Sequence, residues 1–142
     1  MTEYLPPTFL NGRVTPSDYR KWLQRQAVQH RKRDKPRGNK KTIADYKKAI
    51  HKAVMKSNGL DPYTREQLVW ELAGKWRNED AKKGGLKYKR KFALCPSVDH
   101  VSYGKPNFKI CAWRTNDAKG DLSITEFRDL CRKVVDAAKK TT

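Results

Sequence analysis

The chain has 142 residues, and 33 Lys or Arg against 15 Asp or Glu give it a formal net charge of +18. No run approaches the roughly 18 apolar residues of a membrane span, and the N-terminus lacks the layout of a signal peptide, so we expect a cytoplasmic protein without membrane contact. Four Trp, six Tyr and four Phe supply apolar surface for one modest core. The three cysteines form no CxxC pair, which argues against a disulfide framework and a four-cysteine zinc site.

The N-terminal half carries the start signals of helices. After a weakly structured arm at residues 1–14, Thr15 precedes Pro16 in the pattern of a helix N-cap, and Thr42 marks a second start. The second helix is predicted to end at Asn58, which precedes a glycine. Apolar residues at helical spacing follow both starts, so each helix is expected to bury one face.

A third helix is predicted directly after a turn at Asp61–Tyr63. The segment Thr64–Gln67 has the form of a capping box, and apolar residues follow it at helical spacing. The expected inward side chains are Leu68, Leu72 and Trp76.

The C-terminal part has a different apolar period. Residues 92–101 and 108–113 have the pattern of two short strands around a loop, the first broken by Pro96. A capping box at Ser123–Glu126 then opens the strongest amphipathic stripe of the chain. We therefore predict an α+β fold in one compact unit. Its predicted parts are an arm at 1–14, a helical basic region at 15–91, and a strand–loop–strand–helix unit at 92–142.

Positive charge is concentrated in two runs. Seven Lys or Arg and one acid, Asp34, lie between His30 and Lys41, and six with no acid lie between Lys82 and Lys91. Both runs contain Gly or Pro, which predicts solvated loops. Like charge at this density indicates a polyanionic partner, nucleic acid, although charge runs can also serve solubility alone. The predicted nucleic-acid-binding residues are Arg31, Lys32, Arg33, Lys35, Arg37, Lys40, Lys41, Lys87, Lys89, Arg90 and Lys91.

A set of residues that could carry chemistry lies at the predicted strand ends. Asp99 and His100 are near the end of the first strand, and Asn116 follows the second. Carboxylate and amide oxygens are hard ligands suited to Mg²⁺, and a His that is not a ligand can take a proton from water near neutral pH. Together with a polycationic surface, this set predicts phosphodiester hydrolysis. Taken singly, each residue also fits a turn or a solvated surface position.

These residues resemble the HNH motif of the ββα-metal endonucleases. The segment Val98–Val101 matches the family's hydrophobic-Asp-His-hydrophobic strand end, Asn107 its central Asn, and Asn116–Gly120 its closing Asn-x-x-Lys-Gly. The nine-residue step from Asn107 to Asn116 agrees with the family's spacing. At motif level the resemblance covers residues 92–135.

The resemblance implies a role for each matched residue. His100 would be the general base, and Asp99 and Asn116 would be the metal ligands. Asn107 would buttress the loop and orient His100, and Lys119 would lie near the phosphate. The implied cofactor is a divalent ion, Mg²⁺ first, with Mn²⁺ or another divalent ion as alternatives.

The chain departs from the family in how the motif would be supported. Many HNH proteins hold it with two CxxC zinc pairs, which this chain lacks, so we expect no structural zinc. Apolar packing must replace the zinc, between the second strand and the last helix. The expected partners are Phe108, Ile110 and Trp113 on one side, and Phe127, Leu130 and Val134 on the other.

The favoured interpretation is an HNH endonuclease that hydrolyses DNA. A monomer would nick one strand, and a double-strand break would need a homodimer or two successive events. Two alternatives stay open: a non-catalytic nucleic-acid-binding module on the same fold, and a structure-specific or RNA-directed nuclease with the same chemistry.

Overall fold

The computed structural model describes residues 4–102 and 104–140 and combines helices with a two-stranded antiparallel sheet, which confirms the expected α+β class. Its elements are α1 (Pro16–Asp34), α2 (Ile43–Ser57), α3 (Asn78–Lys91), β1 (Pro96–His100), β2 (Phe108–Ala112), α4 (Trp113–Lys119) and α5 (Ile124–Lys140). Residues 1–3 of the predicted arm, Tyr103 of the predicted loop and residues 141–142 lie outside the described part. Within that part, no helix has the length and apolar character needed to cross a bilayer.

Helices α1 and α2 begin where their caps predict. The Thr15 hydroxyl accepts a hydrogen bond from the Asp18 backbone N–H at 3.0 Å, and Thr42 and Asp45 form a reciprocal capping box. Helix α2 ends at Asn58, which has a left-handed φ of 52°. The two helices pack through their apolar faces, which supply much of the core. The buried apolar residues are Tyr19, Trp22, Leu23 and Ala27 in α1, and Tyr46, Ile50, Ala53 and Val54 in α2.

Strands β1 and β2 pair so that His100 lies opposite Phe108. Alternate residues of β2 point to the same face, and Phe108, Ile110 and Ala112 enter the core formed with α1 and α2. One core therefore includes residues from both the helical and the strand regions. Leu10, from the segment expected to be a weakly structured arm, is buried in the same core after a 3-10 turn.

In the described chain, residues 64–76 form no α-helix, so the prediction of a third helix there was wrong. A short 3-10 turn at Trp70–Leu72 is the regular structure in this segment. The reason lies in the preceding turn, where the buried Asp61 carboxylate accepts backbone N–H groups from Tyr63 at 2.6 Å and from Ala112 at 2.8 Å. These bonds pin the chain to the end of β2 and direct it along the hairpin.

Both basic runs are more helical than predicted. Helix α1 continues through the first run to Asp34, and a 3-10 turn at Lys35–Arg37 follows. The second run lies in α3, where the backbone is kinked at Gly85 with a φ of 56°. The expectation of two loops was wrong because Lys and Arg are good helix formers. Gly85 interrupts the helical backbone, but helical turns lie on both sides of it.

Helix α5 forms after its capping box at Ser123–Glu126, but its predicted packing is wrong. None of the described residues of α5 is buried, and Leu130 and Val134 are exposed. The intended partners Phe108 and Ile110 face the core with α1 and α2 instead. The inner face of the hairpin is already covered by the first two helices, so the stripe of α5 has no place there.

Candidate active site

A cleft of about 640 Å³ opens where β1, α4 and the C-terminal end of α1 meet. Four predicted site residues and two arginines of the first basic run line it. These residues are Asp99, His100, Asn116, Lys119, Arg33 and Arg37. The structure therefore brings together every predicted metal-binding and catalytic residue except Asn107.

Asp99 lies in a buried polar cluster on one side of β1. Its Oδ1 is 3.3 Å from the Lys119 ammonium, and its Oδ2 accepts a hydrogen bond from the Tyr63 hydroxyl at 2.9 Å. Asp99 and Lys119 are each 5% exposed, so Lys119 is held in an ion pair and is not free in the cleft as its predicted role near phosphate requires. Burial and then the charge of Asp99 raise the pKa of Tyr63, which keeps that hydroxyl protonated as a donor.

His100 points to the other side of β1, because adjacent strand residues face opposite ways. Its Nε2 lies 3.0 Å from Asp34 Oδ2, and its ring centroid lies 4.9 Å from that of His30 and 4.8 Å from that of Phe108. The side chain keeps 19% exposure and lines the cleft. An ionised carboxylate only accepts hydrogen bonds, so this bond requires a proton on Nε2, and in the neutral imidazole the lone pair is then on Nδ1.

Asp34 is a fully buried carboxylate that the sequence analysis did not select as a site residue. Its Oδ2 accepts a hydrogen bond from the Tyr46 hydroxyl at 2.6 Å, and the Arg37 guanidinium lies 3.6 Å from its Oδ1. Burial raises the pKa of Asp34, but the bonds from Tyr46 and His100 outweigh it and the net pKa is lowered. Burial also lowers the pKa of His30 to about 3, so this neighbouring imidazole is neutral. One feature of the sequence could have indicated Asp34: it is the only acid among the seven Lys or Arg residues between His30 and Lys41.

Asn107 braces the loop between the strands but does not orient the imidazole. Its Nδ2 donates to Ser102 Oγ at 3.1 Å, and its backbone carbonyl accepts the Val101 N–H at 2.8 Å. The hydrogen bond of the His100 ring goes to Asp34 on α1. The orienting role predicted for Asn107 is thus taken by a residue 66 positions away from His100 in sequence.

Asn116 and Asp99 are the cleft residues suited to a hard divalent ion. Asn116 donates from Nδ2 to Ser97 Oγ at 2.8 Å, which leaves its Oδ1 available as a ligand. In the described chain, no cluster of three or more His, Cys, Asp or Glu could hold an ion. One carboxylate and one amide fit Mg²⁺, which keeps several waters and takes phosphate oxygens as further ligands. An ion bound to Asp99 would displace the Lys119 ammonium that now neutralises it.

A second cleft, of about 730 Å³, continues from the first. Residues shared by the two are His30, Arg33, Val98, Asn116 and Gly120. Helix α3 packs against two residues of the cleft wall: the ring of Tyr88 lies 5.0 Å from that of Trp76, and the Lys89 ammonium lies 5.3 Å from the ring centre of Trp113. The two clefts form one groove, which Arg33 and Arg37 of the first basic run line.

The predicted phosphate-binding residues are accessible for such contacts. All of them are exposed except Arg31, which is half-buried and donates to the Lys41 carbonyl at 3.1 Å. Of this set, Arg33 and Arg37 reach the first cleft directly.

Comparison with known proteins adds no relative. No family model matches the chain, and no curated protein or solved structure matches it either. The resemblance to HNH endonucleases therefore depends on the motif residues, and the functional argument depends on the chemistry of the groove.

Proposed function

We propose that the protein is a divalent-metal-dependent endonuclease of the HNH class that hydrolyses phosphodiester bonds in DNA. In this proposal β1, β2 and α4 are the ββα-metal unit. The observation that carries the proposal is the cleft in which Asp99, His100 and Asn116 lie together on a chain of charge +18. Function is argued here from the site, because many folds host unrelated activities.

His100 is the general base of the proposed reaction. Its Nδ1 accepts a proton from a water molecule while the water oxygen bonds to phosphorus and the bond to the leaving sugar oxygen breaks. The leaving oxygen is protonated from solvent. The Asp34 carboxylate holds the imidazole in the tautomer that this step needs and stabilises the imidazolium that it produces. Tyr46 keeps the carboxylate in place.

Charge on the phosphate is offset by the cations of the cleft. Arg33 and Arg37 line it and present fixed positive charge to the substrate. A divalent ion held by Asp99 and Asn116 supplies Lewis-acid stabilisation of the phosphate and the leaving oxygen when bound. Each chain has one such cleft among its described residues, so a monomer is expected to nick DNA.

The test is incubation of the full chain with supercoiled plasmid in Mg²⁺, Mn²⁺ or EDTA. We expect conversion to the nicked circle in either metal and none in EDTA. Plasmid that stays supercoiled in every metal, while the chain still binds it, would contradict the proposal.

One observation favours a second candidate, a nucleic-acid-binding module without catalysis. Both oxygens of Asp99 are already engaged, by Lys119 and Tyr63, inside a buried cluster. If this cluster is permanent, the site cannot take an ion. The plasmid experiment separates the candidates, because the module would bind without cutting in all three conditions.

A further inference from the structure

Trp76 stands on the wall of the second cleft with an unusual degree of exposure for a tryptophan. It is 38% exposed, although the sequence predicted it to face inward. The ring also packs against Tyr88 at 5.0 Å, Phe92 at 5.2 Å and Trp113 at 6.1 Å between centroids. The indole is therefore supported by an aromatic cluster while part of its surface is left to solvent.

Hydrogen bonds hold the indole and the backbone beside it in the absence of a ligand. Trp76 Nε1 donates to Asn78 Oδ1 at 3.0 Å, and Arg77 donates to the carbonyls of Gly74 and Trp76, both at 3.0 Å. Gly74 has a φ of 75°, a backbone conformation that favours glycine, and the guanidinium of Arg25 packs against it. A preorganised ring loses little freedom on binding, which favours its use as a stacking surface.

The rest of the wall carries groups that recognise nucleotides. Arg25 and Gln29 are exposed on α1 and line the same cleft, together with Arg33, which also lines the candidate active site. A volume of about 730 Å³ is within the range of about 300–1,000 Å³ in which proteins hold small ligands. A stacking ring, amide donors and acceptors, and cations beside a phosphate site match the chemistry of an unpaired nucleotide.

We propose that the second cleft binds an unpaired nucleotide of DNA, stacked on Trp76, next to the phosphate held in the first cleft. A paired base has both faces covered by its neighbours and cannot stack on this ring. The substrate class is therefore DNA with single-stranded character, such as a flap, gap or bubble. This inference rests on the proposed function for the neighbouring phosphate, but the binding of the nucleotide itself does not require cleavage.

Binding to fluorescent oligothymidylate of about 16 nucleotides, measured by anisotropy in EDTA, tests the proposal. Trp76→Leu keeps apolar bulk and removes the ring, and should weaken binding to the single strand about ten- to hundredfold, with a much smaller change for a duplex of equal length. Trp76→Phe should keep most of the affinity. Equal losses for single strand and duplex, or no loss for either, would overturn the proposal.

A second pair of variants tests the cleft without changing Trp76 itself. Arg25→Gln should weaken single-strand binding more than Lys21→Gln, which removes the same charge from an exposed site of α1 outside the cleft. Equal effects would contradict a nucleotide site in this cleft. Stacking on Trp76 without cleavage of any substrate in metal would uphold the nucleotide site and refute the nuclease.

Discussion

Asp99 and His100 are neighbours in sequence, but the two faces of β1 place them in different polar networks. On one face, α1 and α2 supply Asp34 and Tyr46, which hold an imidazole that still reaches the cleft. On the other, Tyr63 and Lys119 enclose the Asp99 carboxylate. The comparison shows an imidazole that reaches the cleft beside a carboxylate whose charge is already neutralised. We therefore expect the proposed activity to depend on whether Asp99 can be released from Lys119 to bind an ion.

Among the variants of residues that position His100, the largest effect should come from Asp34. Asp34→Asn keeps the shape of the side chain but removes the charge that fixes the imidazole tautomer. We expect cleavage of supercoiled plasmid to slow by about 10²-fold or more, as loss of a positioned base typically does. Tyr46→Phe removes one hydrogen bond to the same carboxylate and serves as the milder comparison. An Asp34→Asn rate within twofold of wild type would exclude the positioning role.

Lys119→Met tests the opposite face of the strand. It leaves Asp99 as a buried carboxylate without its cation, which should lower the free energy of unfolding by about 3–5 kcal/mol in EDTA. Lys133→Met is the matched control, because its pair with Asp129 is exposed and should contribute less than about 1 kcal/mol.

The same variant reports on metal binding by Asp99. Mg²⁺ should raise the melting temperature of Lys119→Met more than that of wild type, since the ion no longer competes with an ammonium. Identical metal responses in the two proteins, measured by thermal denaturation, would place the ion elsewhere.

The pH dependence of stability tests the His100 side of β1, because His30 packs against His100. Burial lowers its pKa to about 3, against about 6.5 in an unfolded chain, so the unfolded state binds more protons between these values. The contribution of this group to stability should fall as the pH drops from about 6.5 towards 3, by at most about 1.4 kcal/mol per pH unit. His30→Phe keeps a ring beside His100 and should flatten the profile in denaturant titrations. An unchanged profile would show that His30 is protonated in the folded state.

The salt dependence of DNA binding measures how many phosphates the basic residues contact. Each neutralised phosphate adds about −0.9 to the slope of log K against log salt on duplex DNA, so replacing Arg31, Lys32 and Arg33 by Gln should flatten it by about two to three units. The loss should be similar on unrelated sequences, because phosphate contacts do not read bases. Replacing Lys48, Lys52 and Lys56 removes the same charge from exposed positions of α2 that line neither cleft, and should change the slope less. Equal changes in slope for the two triple variants would mean that Arg31, Lys32 and Arg33 do not contact phosphates directly.

Local signals predicted much of the fold. The caps at Thr15, Thr42 and Ser123 depend on nearby residues, and their three helices formed as expected. Both strands also formed, but the first begins only at Pro96, and the short helix α4 that follows the second strand was not predicted. The third helix failed because Asp61 bonds to Ala112, a contact across 51 residues. Helix α5 formed with its predicted apolar stripe, but α1 and α2 cover the hairpin instead of α5.

The site was predictable to the same extent. Spacing on the strand ends selected five residues, and the fold gathers all of them except Asn107 in one cleft. Their partners were not predictable, since Asp34 reaches His100 across 66 residues and Tyr63 reaches Asp99 across 36. Such contacts require the packing of α1 and of the 61–63 turn on the hairpin, which no local pattern encodes.

The central claim is that His100 activates water in a cleft that binds DNA by other residues. Its most direct test compares His100→Ala with wild type in two measurements: nicking of supercoiled plasmid in Mg²⁺ or Mn²⁺, and DNA affinity in EDTA. The control is His51→Ala, which replaces an imidazole on α2 that does not line the cleft. We predict a rate about 10²–10⁴-fold lower for His100→Ala with nearly unchanged affinity, and little change in either quantity for the control. Wild-type cleavage by a folded His100→Ala protein would contradict the account.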